Sequence, residues 1–359
     1  LVAEYGAFIS FALVWGAASD ALGRRAPLVV VGAVGGAASY LLLASLPTLG
    51  VGFGGVLVVR VLGGAFTIGA FSLGITMLMD LAGGNGRNMG AAGIAIGLGA
   101  ALGSVAGGQL AALSPFGPVY AGAAVLGGAG LVAATVDETA TETSSEADVA
   151  VPDRRGVGAA VDTLRSTPAL GVPFAFGFVD RLTAGFFSLV GVFYFGDVFG
   201  LDAAGVGIAL ALFFLPFALL QYPLGSLSDR IGRFVPVVAG SVGYGVTIIA
   251  VGLAQTVEVA MGLMALVGVA GAFVAPATMA LVTDLVDPAE RGVAMGGFNV
   301  FGSLGFLTGF LLGGVVGASA DYLTAFLVVG GLEITIAIVA FPAVRRLATA
   351  GQRAVSAAD

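Results

Sequence analysis

Apolar runs of close to twenty residues alternate with short charged or Pro/Gly-bearing breaks along nearly the whole of this 359-residue chain. Taking the breaks as turns predicts eleven helices, at about 1–18, 27–47, 51–79, 88–112, 116–136, 169–196, 203–224, 234–253, 257–283, 292–316 and 321–342. A bilayer core about 30 Å thick takes about 20 apolar residues per spanning helix, so each run is long enough to cross. The runs are too long and continuous for a membrane β-barrel, whose strands alternate over about ten residues. The pattern therefore predicts an all-α polytopic membrane protein. One long polar stretch, Asp137 to Ser166, opens with Asp137, Glu138, Glu142 and Glu146. It cannot bury a core, so it is expected to be a linker between two halves. The expected organisation is an N-terminal bundle over 1–136, an acidic linker over 137–168, a C-terminal bundle over 169–342 and a tail over 343–359.

Composition sharpens this picture. Hydrophobic residues make up 58% and charged residues 10% of the chain, and mean hydropathy is +1.07; soluble domains carry about 25% charge. The natural partner of such a surface is a lipid bilayer. Glycine occupies 60 positions, more than twice the usual share of about 7%. In lipid, small residues let helix backbones approach closely, so the glycines predict tight helix packing. There is no cysteine and no histidine, which excludes disulfides, thiolate or imidazole metal ligation, and catalysis by either residue. No cofactor is expected, and no Gly-Lys-Ser/Thr phosphate loop is present to support ATP-driven work. The net charge of −7 argues against nucleic acid as a partner. All 14 basic residues are arginine; the acidic, lysine-free balance resembles proteins of halophilic archaea, and a GC-rich genome gives the same bias.

Arginine placement predicts topology. Arg24, Arg25, Arg87, Arg154, Arg155, Arg165, Arg230, Arg233, Arg291, Arg345, Arg346 and Arg353 fall in alternate connections or the tail, and the intervening connections have none. The positive-inside rule then puts the linker and C-terminus in the cytoplasm of a multi-pass cell-membrane protein. Leu1 would begin outside, without Met and within an apolar run. The expectation is a twelve-helix protein whose first helix precedes Leu1.

The two halves repeat. Gly16-Ala17-Ala18-Ser19-Asp20-Ala21-Leu22-Gly23-Arg24-Arg25 recurs as Gly225-Ser226-Leu227-Ser228-Asp229-Arg230-Ile231-Gly232-Arg233, shifted by 209 residues, and Asp80 and Arg87 recur as Asp284 and Arg291, shifted by 204. Each copy of the first motif is read as a connection between two spans. Duplication of a helical half is the mark of transporters that work by alternating access. The Gly-x-x-x-Asp-x-x-Gly-Arg-Arg pattern resembles the signature loop of the major facilitator superfamily, a fold of two pseudo-symmetric helical bundles, and the resemblance covers essentially the whole chain. It implies a secondary transporter rather than an enzyme, acting as a monomer on a small-molecule substrate, with protons as the expected coupling ion. It also implies that Asp20, with Arg24, Arg25, Asp229, Arg230 and Arg233, belongs to a gate at the cytoplasmic face.

Two further stretches carry the resemblance. Arg60 and Gly64 match the family's helix-4 pattern Arg-x-x-Gln-Gly, associated with proton coupling, although Gly63 replaces Gln. Gly99, Gly103, Gly107 and Gly108 match the helix-5 pattern of antiporters, with Ser104 in place of Pro; the resemblance implies a hinge there, and packing alone would make it a glycine seam. The remaining charges within spans are Glu4, Asp180, Arg181 and Glu333. Intramembrane ionisable groups mark substrate or proton paths by default. Asp180 and Arg181 are adjacent on one helix, about 100° apart, and are not expected to pair directly. Aromatic groups at Phe186-Phe187, Phe193-Tyr194-Phe195 and Phe213-Phe214 are read as packing in preference to a cavity lining. The reading is proton-coupled efflux of a small organic compound. An importer of a sugar, amino acid or organic anion, and a non-transporting receptor or scaffold, are the alternatives.

Overall fold

The computed structural model describes residues 1–79, 85–136, 164–287, 290–319 and 321–356. These contain eleven helices long and apolar enough to cross a membrane. They are α1 Val2–Leu22, α2 Ala26–Ser45, α3 Phe53–Met79, α4 Asn85–Leu113 and α5 Gly117–Ala134. A second set comprises α6 Pro168–Asp197, α7 Ala203–Ile231, α8 Val235–Gly252, α9 Val257–Asp284, α10 Arg291–Ser319 and α11 Tyr322–Ser356. Large apolar side chains point outward along them, with Val125, Leu131 and Val339 each about 70% exposed. In water such surfaces would associate, whereas lipid tails solvate them. Side-chain caps secure helix starts at the arginine-free end: Asp202 accepts from Gly205 N at 2.8 Å and Asp321 from Thr324 N at 3.1 Å.

The chain groups into two compact units, Leu1–Gly93 with Ala106–Val151 and Ile94–Val105 with Pro152–Asp359. The central part of α4 thus clusters with the second unit, where the sequence places all of 1–136 in one bundle. Within the first unit α3 packs on α1 and α2, and α2 packs on α5; within the second, α9 packs on α7 and α8, and α8 packs on α11. The pairing order is the same, and it repeats at atomic detail. A methyl group at Gly64 of α3 would collide with the Glu4 carbonyl of α1, and one at Gly268 of α9 with the Phe213 carbonyl of α7. Gly268 follows Gly64 by 204 residues and Phe213 follows Glu4 by 209, the two offsets of the sequence repeat. The second unit adds the extensive α6–α10 contact, where Gly305 and Gly309 lie against the carbonyls of Phe178 and Leu182. Backbone-to-backbone approach of this kind requires glycine at these positions.

Several boundaries differ from the sequence reading. The two repeated motifs are not loops over their whole length: α1 runs to Leu22 and α7 to Ile231, so Gly16–Asp20 and Gly225–Arg230 lie on helix. Only Gly23 (φ 63°) and Gly232 (φ 85°) break it, in a region of backbone space where a side chain is strained. Residues 343–356, expected as a tail, continue α11; Arg345 and Arg346 end the apolar pattern without ending the helix. Two π-turns, Phe187–Gly191 in α6 and Val235–Ala239 in α8, have no counterpart in the sequence reading. The linker over 137–163, Asp80 and the Asp20 side chain lie outside the described residues.

Candidate functional site

In the first unit three helices bring their polar groups to one point. Arg60 of α3 donates from Nη1 to Oε2 of Glu4 on α1 at 2.6 Å, and Tyr40 of α2 donates its hydroxyl to Oε1 at 3.3 Å. Glu4 and Arg60 retain 16% and 30% side-chain exposure, so the pair is largely withdrawn from its surroundings. Ser39, Leu43, Val59 and Gly63 complete the enclosure, which leaves no space for a water molecule. Gly63, the departure from the family pattern, stands 3.9 Å from Glu4 Oε1 at its would-be Cβ; a glutamine there would compete for the room Glu4 occupies. Arg60 is therefore not left to reach toward the membrane surface. Its partner comes from 56 residues away in sequence, a pairing that spacing alone could not identify. The positions corresponding to Glu4 and Arg60 in the second unit are Phe213 and Met264, both buried in its apolar core, so the charge pair belongs to one half only.

The second unit has its own buried polar group. Asp180 of α6 and Glu333 of α11 are 6% and 1% exposed, beside the fully buried Thr183, Ser241 and Tyr244. Thr183 Oγ1 lies 3.2 Å from Glu333 Oε1 and 3.2 Å from the Val179 carbonyl. Asp180 Oδ1, Glu333 Oε2 and Ser241 Oγ have no hydrogen-bond partner within the described residues. Arg181 Nε stands 4.0 Å from Asp180 Oδ2, the outer limit of an ion pair and beyond hydrogen-bond range. The sequence offers no link between Glu333 and the adjacent Asp180 and Arg181; the fold brings Glu333 of α11 to α6 through Thr183.

At the arginine-bearing end of this unit, Arg233 binds three groups: Asp229 at 2.5 Å, Ser228 at 2.9 Å and Asp284 at 3.1 Å. Arg291 Nε donates to the Thr283 carbonyl at 3.3 Å. The two repeated motifs of the second half are thus tied together, with Arg233 clamping the end of α7 to the end of α9. Burial disfavours the Arg233 charge, but the hydrogen bonds and charges of Asp229 and Asp284 outweigh it and hold the guanidinium pKa above its ordinary value. Arg230 takes no part in this clamp. Arg24 and Arg25 sit at the matching turn of the first unit, after the C-capping Gly23.

The helix-5 glycines lie along α4. α4 is helical from Asn85 to Leu113, and Ser104 Oγ donates back to the Ala100 carbonyl at 2.7 Å. A methyl at Gly99, Gly103 or Gly107 would meet open space among the described residues, so these three form no close seam there; Gly108 lies on the same helix. The aromatic groups are mainly core: Phe186, Phe187, Tyr194, Phe195 and Phe213 are almost wholly buried with Phe326, whereas Phe193 is exposed.

Comparison with known proteins places this architecture. The chain is 26% identical over 93% of its length to the class C tetracycline resistance protein of Escherichia coli, covering 82% of that protein. It is 27% identical over 85% of its length to the class G tetracycline resistance protein of Vibrio anguillarum, covering 78% of that protein. Among solved structures, the nucleoside transporter NupG matches with a TM-score of 0.69 at 16% identity, covering 96% of this chain and 88% of that one. The family model described as Major Facilitator Superfamily matches residues 1–196 and again 174–357. The duplicated helical halves, the repeated motifs and these matches agree: the chain belongs to the Major Facilitator Superfamily, as a multi-pass membrane transporter and not an enzyme.

Proposed function

We propose that this transporter exports a small organic compound in exchange for protons, by alternating access of its two halves, with the linker and C-terminus in the cytoplasm. The observation that carries the reading is the Glu4–Arg60–Tyr40 group. An intramembrane carboxylate held by a fixed cation suits a coupling element, since loss of the pair frees α3 from α1 and its return ties them again. The direction of transport is supported by the two relatives matched over most of their length, which are tetracycline resistance proteins. The Arg233 clamp is assigned to the cytoplasmic gate, holding α7 and α9 together while the halves move.

The test is a flux screen in proteoliposomes with an acidic lumen, over a panel of organic compounds that begins with tetracyclines. Exchange predicts accumulation of one compound class that is abolished by a protonophore and by Arg60→Met. Accumulation driven only by an alkaline lumen would mean symport, and absence of flux for every compound would favour a receptor or scaffold.

A further inference from the structure

Among its described residues the second unit buries two carboxyl groups and brings one guanidinium near them. Asp180 and Glu333 lie within electrostatic reach of each other and of Tyr244, across the meeting of α6, α8 and α11. Thr183 is three residues from Asp180, so both occupy one face of α6, and Thr183 reaches Glu333 at 3.2 Å. From α8, a methyl at Gly245 would stand 3.0 Å from the Glu333 Cβ, and Ser241 is one turn before it on that face. α10 packs on α6 and places Gly302 against the Arg181 stem. Asp180, Arg181, Glu333 and Tyr244 are therefore the titratable groups that the surrounding elements direct here among the described residues.

Two observations assign a proton to this place. The first is charge: two ionised carboxylates against Arg181 alone would leave one uncompensated negative charge in a buried, apolar setting, which costs several kcal/mol. The second is donor supply. Thr183 has a single hydroxyl hydrogen and two acceptors at equal distance, the Val179 carbonyl and Glu333 Oε1. A hydrogen on Glu333 resolves the competition, because Thr183 can donate to Val179 and accept from Glu333. Asp180 Oδ1 and Glu333 Oε2 stay buried without a partner among the described residues, and an unpaired oxygen costs less on a neutral carboxyl than on a carboxylate.

We propose that Asp180, Arg181 and Glu333 form a proton-binding site in the second unit, in which Glu333 holds the proton and Asp180 keeps the charge that faces Arg181. The site is separate from Glu4–Arg60 and gives the transporter a second place to carry a proton. It does not depend on which compound is moved or in which direction, so its failure and that of the exchange reading are distinguishable.

The test is infrared titration of the full chain in lipid nanodiscs, without substrate, in the presence and absence of sodium. The wild-type protein should show a protonated-carboxyl C=O band at neutral pH that shifts in deuterium oxide, disappears at alkaline pH and is missing in Glu333→Gln. Asp180→Asn, which removes the neighbouring negative charge, should keep the band but lose it at a lower pH than Arg181→Gln, which removes the compensating cation. A wild-type spectrum without the band, or one unchanged by Glu333→Gln, would overturn the site. Loss of the band on adding sodium at fixed pH would overturn it in favour of a metal-cation site. Should Glu333→Gln fail to fold, the other two variants decide, and identical titrations in both would refute the proposal.

Discussion

At the scale of single residues, the most consequential finding is that Arg60 is paired with Glu4. Removing one member of a withdrawn charge pair leaves the other uncompensated, at a cost of about 3–5 kcal/mol. Arg60→Met should therefore lower thermal stability strongly. The double variant Glu4→Gln/Arg60→Met should recover most of that stability, since no lone charge remains, yet still fail to couple transport to protons. Melting temperature and gradient-driven flux, measured on the two variants, separate the structural part of the pair from the functional one. Asp321 offers a pH prediction outside the spans. The Thr324 hydroxyl and backbone N–H both donate to its carboxylate and hold its pKa below the ordinary value. A depressed carboxylate contributes stability that is complete above its unfolded pKa and disappears as pH falls through the folded one. Asp321→Ala should thus lower the melting temperature slightly at neutral pH, and the difference from wild type should vanish in strong acid. Arg60 is conspicuous in the sequence because a charge in an apolar run demands an explanation. Glu4 is equally charged but carries no sign of its partner, because contact between α1 and α3 is a property of packing and not of spacing.

At the scale of helices, hydropathy locates every span found among the described residues, while the ends are legible only in part. An apolar pattern stops where polar residues begin; a helix stops where the backbone turns. Hence α7 continues through Ser228 and Asp229 to Ile231, and α11 continues through Arg345 and Arg346. The glycines that do end helices are visible in the repeated motif, and they are not equivalent. Gly23 has φ 63° and ψ 11°, the left-handed helical region that asparagine tolerates, whereas Gly232 has φ 85° and ψ 163°, a region open almost only to glycine. Gly232→Asn should cost about 1–3 kcal/mol and also displace Arg233 from Asp229 and Asp284, while Gly23→Asn should be tolerated. Thermal unfolding of the purified variants in detergent would check the contrast. The π-turns in α6 and α8 are not legible, since the apolar run that marks a span has the same length and hydropathy whether or not one of its turns holds an extra residue.

At the scale of the whole chain, duplication is visible in sequence as two offsets and in structure as one contact made twice, Gly64 on Glu4 and Gly268 on Phe213. Alanine at either glycine should be similarly damaging, by about 1–3 kcal/mol for forced overpacking, and comparison of the two melting temperatures tests whether the halves are mechanically alike. They are not chemically alike. The first half carries a charge pair where the second has Phe213 and Met264, and the second carries buried acids of its own on α6 and α11. Symmetric scaffolding with asymmetric chemistry is what the proposed exchange calls for, since proton and compound then engage different residues. The central claim is that protons and substrate move in opposite directions. It is tested most directly by following lumenal pH and labelled compound together in proteoliposomes of the purified protein, with no pH gradient imposed at the start. Exchange predicts that a compound entering the vesicles makes the lumen more alkaline, and that Glu4→Gln weakens this link. Acidification of the lumen as the compound enters, or compound entry with no change in lumenal pH, would contradict the account.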